Sequence, residues 1–194
     1  MDLETKRQLI HASGAAVALY VRWSYNALGF LVPFATLVLA IIFLYLAAEG
    51  YKRKLRLPVV SNFIDAAERT EVIEKSPASG ALFFFIGSLF SLLFFSSNIN
   101  VVCASILILA LGDSVSTLVG RNFGHSKIFY NPSKSWEGTA AGFLFAFLGA
   151  ATQVSPPTAL IGALAGMLVE SLPIKINDNL TMPVFAGLAM SFAV

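Results

Sequence analysis

The chain has 194 residues, 57% of them hydrophobic and 12% charged, with a formal net charge of +2 and a mean hydropathy of +0.76. Ordinary soluble domains carry about 25% charged residues, so this composition excludes one. Cys103 is the single cysteine, which excludes a disulfide framework or a cysteine metal cluster.

A bilayer core of about 30 Å requires roughly 20 apolar residues per helix. In chain order, apolar runs predict membrane helices at 9–23, 27–48, 78–96, 99–118, 138–154, 156–173 and 181–194. The runs are continuous rather than alternating, which selects helices over a closed β-barrel. The expected fold is therefore all-α: a polytopic transmembrane bundle of about seven helices, forming a single domain over 1–194. Before the first run stand Asp2, Glu4, Lys6 and Arg7, with no small-residue cleavage site, so a retained helix is expected rather than a signal peptide. The basic run Lys52, Arg53, Lys54, Arg56 after the second span reads as a topology anchor. Between Val59 and Ile73 the mixed pattern fits either an interfacial amphipathic helix or a solvated hairpin. Phe83-Phe84-Phe85 and Phe94-Phe95 read as lipid-facing bulk rather than a prenyl groove. Two glycine pairs, Gly138 with Gly142 and Gly162 with Gly166, predict close packing between the two helices that carry them.

Seven spans put the N-terminus and the loops 49–77, 119–137 and 174–180 on one face. Twelve of the 13 basic residues lie there, and only Arg22 lies opposite. By the positive-inside rule that face is cytoplasmic. All eleven acids sit on or near it too, so the chemistry is expected there.

Residues 112–142 form a charged island between two apolar segments. An acid such as Asp113 at a helix end in an oily chain is costly unless it is paired or ligates a cation, and magnesium favours carboxylates together with substrate phosphates. Gly112 precedes it. Gly120 and Gly124 permit close backbone approach to phosphate. Arg121, Lys127 and Lys134 supply positive charge for a triphosphate. Glu137 opens the next helix, where the dipole favours it and where it could also hold metal. His125 fits either a surface position or a phosphate contact. Arg7 and His11, four apart, share a helix face; the histidine could take a proton from a hydroxyl or bind phosphate when protonated. Glu49 is either a helix-end charge near Lys52 and Arg53 or part of an acid–base pair. Asp178, between Asn177 and Asn179, has the composition of a turn.

The pattern Asp113-xx-Ser116-xxx-Gly120-xxx-Gly124-xx-Lys127, then Lys134-xx-Glu137-Gly138, resembles the CTP-binding motif of the polyprenol kinase family. That family includes dolichol kinases, phytol kinases and fungal CTP-dependent diacylglycerol kinases. Ser116 stands where the pattern usually has alanine. Lys6-Arg7-xxx-His11, Glu49-xxx-Arg53 with Gly80-Ala81, and Glu170-Ser171-Leu172-Pro173 followed by Asp178-Asn179-Leu180-Thr181-Met182-Pro183 are similar to its opening, middle and closing elements. The resemblance implies a CTP-dependent kinase that phosphorylates a lipid alcohol, dolichol or another polyprenol foremost, to the monophosphate with release of CDP. It implies Mg2+ as cofactor, CTP, a long-chain lipid alcohol and the bilayer as partners, and no nucleic acid. Asp113 is then a metal ligand, with Glu137, Glu170 and Asp178 as metal or base candidates. Gly112, Ser116, Gly120, Gly124 and Gly138 shape the nucleotide site; Arg7, Arg121, Lys127 and Lys134 hold phosphates; His11 or an acid handles the hydroxyl. The implied location is an integral membrane protein with a cytoplasmic-face site, in the cell membrane of a prokaryote or the endoplasmic reticulum of a eukaryote.

Two alternatives compete. The CDP-lipid synthases share an element like Lys134-Ser135-Trp136-Glu137-Gly138, but their C-terminal histidine-containing signature has no counterpart, since no histidine follows His125. A transporter would place polar residues on both faces, whereas the charges here gather on one.

Overall fold

The computed structural model describes residues 2–55, 61, 62, 64 and 76–193. The expected interfacial segment 59–73 lies outside the described residues except for Ser61, Asn62 and Ile64, as do Arg56, Arg69 and Lys75.

The molecule is all-α apart from one small hairpin. Helix α1 (Leu3–Ser13) starts at Asp2, whose carboxylate accepts the Thr5 N–H at 2.9 Å, an N-cap that satisfies an otherwise orphaned donor. The run expected as one span over 9–23 is instead broken at Gly14, and α2 (Ala15–Leu28) follows. At Gly29 the chain takes φ +80, a conformation glycine adopts at little cost, and turns into α3 (Leu31–Lys52). Helix α4 (Ser79–Phe95) leads to α5 (Ile99–Leu107), which continues through a π-helical stretch, Ile108–Asp113, into α6 (Ser114–Phe123). Strands β1 (Lys127–Ile128) and β2 (Asn131–Ser135) pair antiparallel. Three helices complete the chain: α7 (Trp136–Ala151), α8 (Pro156–Ser171) and α9 (Asp178–Ser191).

Among the described residues, two helices are long and apolar enough to cross a membrane: Leu31–Lys52 and the continuous run Ile99–Phe123. The remaining expected spans appear as apolar helices of 14–17 residues. At 1.5 Å per residue these reach roughly 21–26 Å, short of a full bilayer core. The run Ile99–Phe123 is the centre of the bundle, with 72% of its most apolar window buried. Around it one apolar cluster extends from Ala18 on α2 to Met190 on α9. The outer helices carry large apolar side chains outward, among them Leu39 and Phe43 on α3, Leu148 on α7, and Leu164 and Leu168 on α8.

The phenylalanine expectation needs correction. Phe84 and Phe95 are buried, at 5% and 7% exposure, while Phe90 and Phe94 face outward. The two helices that carry the glycine pairs pack on one another, with Gly142 against Met167, and the glycines also seat other neighbours. A Cβ on Gly138 would stand 2.6 Å from the Ser116 carbonyl oxygen, and one on Gly142 would stand 2.6 Å from that of Gly112. Gly162 instead faces Met190 and Ile108, and Gly166 faces Ile108 and Ala186. Both pairs thus seat the π-helical stretch, the first at Gly112 together with α6 and the second at Ile108 together with α9.

The two ends of the bundle differ in chemistry. At one end Arg22 donates to the Gln153 side chain and the Tyr25 hydroxyl donates to the Ser96 carbonyl at 2.9 Å. These contacts draw together the short connections after α2, α4 and α7. The other end gathers α1, the starts of α4 and α9, the end of α6 and the hairpin around a cavity.

Candidate active site

The cavity has a volume of about 1180 Å³. Its charged groups come from three stretches remote in sequence, and the start of α4 adds Phe84 and Phe85. Helix α1 contributes Arg7 and His11; the segment from the π-helical stretch to the hairpin contributes Asp113, Ser116, Arg121, Lys127 and Lys134; the start of α9 contributes Asp178. Gly120 and Gly124 also line it.

The π-helical stretch delivers Asp113. Six consecutive residues, Ile108–Asp113, depart from α-helical hydrogen bonding, a device that recurs at functional sites because it rotates the following side chain relative to the helix face. Asp113 ends it, 8% exposed, with its Oδ2 3.5 Å from His11 Nε2. That nitrogen is buried and makes no hydrogen bond among the described residues. Phe84 meets the imidazole in a T-shaped contact, with ring centroids 5.4 Å apart. Asp178, Glu170 and Lys134 all lie within electrostatic range of Asp113.

The hairpin positions the cations. Ser135 ends β2 and caps α7, its hydroxyl accepting the Gly138 N–H at 3.2 Å. Asn131 Nδ2 donates to the Ser171 carbonyl at 3.0 Å, and the Tyr130 hydroxyl pairs with that of Ser171 at 2.9 Å. These bonds tie the hairpin to the end of α8. Between them Lys134 forms an ion pair with Glu170, whose side chain is fully buried and also accepts the Ser116 hydroxyl at 2.9 Å. Burial pulls the Lys134 ammonium down, but the carboxylates of Glu170 and Asp113 outweigh it and hold the group above its ordinary value. Lys134 is therefore a fixed cation at the cavity wall. Arg121 is exposed and bonds Asp2 Oδ2 at 2.9 Å, and Arg7 bonds Glu4 Oε2 at 2.9 Å.

Several expected site residues stand elsewhere. Glu137 does not line the cavity. Its carboxylate accepts the Ser126 N–H at 2.9 and 3.2 Å, and main-chain N–H groups, its own and that of Ser126, hold its carboxyl below the ordinary range. It braces the loop before β1 at the N-terminus of α7. Glu170 is committed to Lys134 and Ser116, so Asp113, Glu137 and Glu170 do not gather into one ligand set. Among the described residues, no group of three His, Cys, Asp or Glu side chains converges for a metal. Gly112 and Gly138 are packing positions: a Cβ on Gly112 would stand 3.0 Å from Met167 Sδ. Gly120 lies within α6, not in a loop, and a Cβ there would stand 3.1 Å from Ser135 Oγ. The motif's glycines therefore bring α6 against α7 and the end of β2. Glu49 pairs with Lys52 at 3.2 Å, and His125 is exposed; neither lines the cavity.

Sequence reasoning overlooked Asn179 and Phe84. Asn177 caps α9 by accepting the Asn179 N–H at 3.0 Å, and Asn179 Nδ2 donates to the Gly80 carbonyl at 2.9 Å. That bond fixes the start of α9 to α4 and leaves Asp178 on the cavity side. The pairing of Gly80-Ala81 with Asp178-Asn179 in the motifs was the available signal.

No family model matches the chain, and no solved structure matches it. It is 32% identical over 186 residues to an uncharacterized protein of Methanocaldococcus jannaschii, covering 93% of this chain and 88% of that protein. It is 31% identical over 138 residues to the chloroplastic phytol kinase 1 of Arabidopsis thaliana, covering 62% of this chain and 44% of the kinase. To the chloroplastic farnesol kinase of the same plant it is 32% identical over 126 residues, covering 57% of this chain and 41% of the kinase. The chain thus spans less than half the length of these plant relatives.

Proposed function

The chain belongs to the polyprenol kinase family, and on that basis we propose that it is a CTP-dependent kinase of a membrane prenyl alcohol, dolichol or a shorter polyprenol, working from the cytoplasmic face of an integral bundle of about seven helices. One observation carries this reading. Three sequence elements far apart in the chain meet at a single cavity that sets fixed cations beside two carboxylates, Asp113 and Asp178.

Phosphoryl transfer needs positioning and charge neutralisation more than covalent help. Lys134, held by Glu170, meets the phosphates from the hairpin side, while Arg121 and Lys127 meet them from the end of α6 and from β1. Asp113 and Asp178 are two hard oxygen donors facing the same cavity, a set that fits Mg2+, which takes one or two carboxylates and completes its shell with phosphates and water. When bound, the ion neutralises charge on the transferring phosphoryl group. The acceptor oxygen attacks the γ-phosphorus, the bond to the β–γ bridging oxygen breaks, and CDP departs. His11 Nε2, unpartnered at the cavity wall, takes the hydroxyl proton.

Purified protein supplied with labelled CTP, Mg2+ and a prenol should yield CDP and the prenyl monophosphate. Pyrophosphate with a CDP-lipid would identify a cytidylyltransferase, and absence of either product would overturn the enzymatic reading. Asp113→Asn, close to isosteric, should lower kcat by at least about 100-fold, the lower range for loss of an electrostatic stabiliser, while the detergent-solubilised protein keeps its melting temperature.

A further inference from the structure

The cavity changes character at His11. On one side of the imidazole stand Asp113 and, beyond it, Asp178 and Lys134. On the other side stands Phe84, followed by Phe85 at a centroid distance of 5.8 Å. Val17 on α2 and Ile10 on α1 extend this apolar wall. A hydroxyl base at a boundary between charged and apolar walls suits a substrate with a polar head and a hydrocarbon tail.

The break between α1 and α2 creates that boundary. A Cβ on Gly14 would stand 2.5 Å from Phe84 Cζ and 2.8 Å from the His11 carbonyl oxygen. The missing side chain lets the ring reach the imidazole. Helix α1 packs chiefly on α6 and the π-helical stretch, so its flank toward α4 borders the cavity.

Resting on the kinase reading above, we propose that Phe84 and Phe85, set by Gly14, form the seat for the first isoprene units of the acceptor and select a prenyl alcohol over a diacylglycerol. Flat, branched isoprene units pack on aromatic faces and edges. The two ester groups beside a glycerol hydroxyl would instead enter this wall without hydrogen-bond partners, a costly placement.

The test separates acceptor from donor. Phe84→Ala should raise KM for farnesol or geranylgeraniol about tenfold, roughly the loss of one good apolar contact, with KM for CTP unchanged within about twofold on the same scale. Phe84→Leu, which keeps the bulk, should give a smaller increase, and Gly14→Ala should resemble Phe84→Ala. Wild type should phosphorylate these prenols in preference to diacylglycerol. An unchanged prenol KM in Phe84→Ala or an equal rise in both KM values would overturn the seat while leaving the kinase reading intact, and a preference for diacylglycerol would overturn the seat together with the prenyl-alcohol acceptor. A diazirine-bearing farnesol reports independently of turnover. It should label the peptide 79–95 in wild type, compete with free farnesol, and lose that label in Gly14→Ala. Labelling elsewhere would overturn the seat, and failure of the wild-type product assay alone would overturn only the kinase reading.

Discussion

Glu170 shows how far a single residue can be understood from its surroundings. Its side chain is fully buried, with one oxygen shared between Lys134 and Ser116 and the other unpartnered. A buried carboxylate that loses its cation costs about 3–5 kcal/mol, so Lys134→Met should lower the detergent melting temperature sharply. Ser116→Ala removes one hydrogen bond to a charged group and should cost about 1.5–3 kcal/mol, with turnover retained. The pH dependence follows from the raised Lys134 value. A raised pKa contributes stability that is complete below the ordinary lysine value and is lost as pH rises through the folded value. Where Glu170 is ionised in both proteins, melting curves of wild type and Lys134→Met should therefore differ by a constant amount up to about pH 10.4 and converge only above it. Convergence near neutrality would refute the pairing. The sequence grouped Asp113, Arg121 and Lys134 because charges in an apolar chain need partners, and only the family resemblance joined Asp178 to them; all four line the cavity. It did not foresee the contact of Glu137 with the Ser126 N–H, since an acid at a helix start looks the same whether it meets a metal or a backbone N–H, and the partner is eleven residues away.

At the scale of elements, the sequence located nearly every helix but not how the helices meet. Apolar runs bounded by Pro156 or by the Asn177–Asp178 cap define their own ends. The π-helical stretch was invisible because Ile108–Asp113 reads as ordinary apolar helix, and the extra residue per turn leaves no compositional trace. Small residues four apart announced the close approach of α7 to α8, which Gly142 makes against Met167, but not the equally close approach of Gly138 and Gly142 to α6 and the π-helical stretch. This contact carries the site. It holds Asp113 on one element and Lys134 and Ser135 at the entry to the other. In Gly138→Val, the Cβ meets the Ser116 oxygen at 2.6 Å and the Gly120 Cα at 2.8 Å, both backbone atoms that cannot rotate away. Overpacking of this kind costs about 1–3 kcal/mol. Because the strain separates the two halves of the cavity, nucleotide protection against proteolysis should be lost even where the variant remains folded. Full protection in a folded variant would show that α6 and α7 need not be in close contact for binding.

For the whole molecule, the distribution of charge along the sequence and the placement of the cavity are independent observations that agree. The cavity sits at the end that receives the N-terminus and the connections 119–137 and 174–180, which carry six of the 13 basic residues, while the links among Arg22, Tyr25, Ser96 and Gln153 mark the opposite end. On the proposed reading the lysine- and arginine-rich end stays in the cytoplasm, because moving those charges across the bilayer is costly, and a CTP donor would be supplied at that same face. Cysteine labelling tests this directly. Cys103 is fully buried and donates to the Ala18 carbonyl, so the native thiol should remain silent to an impermeant maleimide. Ser155→Cys, exposed between α7 and α8, and Lys175→Cys, exposed between α8 and α9, lie at the two ends of one helix. In intact bacterial cells with the outer barrier opened, Ser155→Cys should label and Lys175→Cys should label only after the inner membrane is permeabilised. The reverse pattern would place the cavity outside, away from any nucleotide supply. Labelling of both from one side would mean that α8, 16 residues long, does not cross the bilayer, and that the apolar faces of these short helices meet protein rather than lipid.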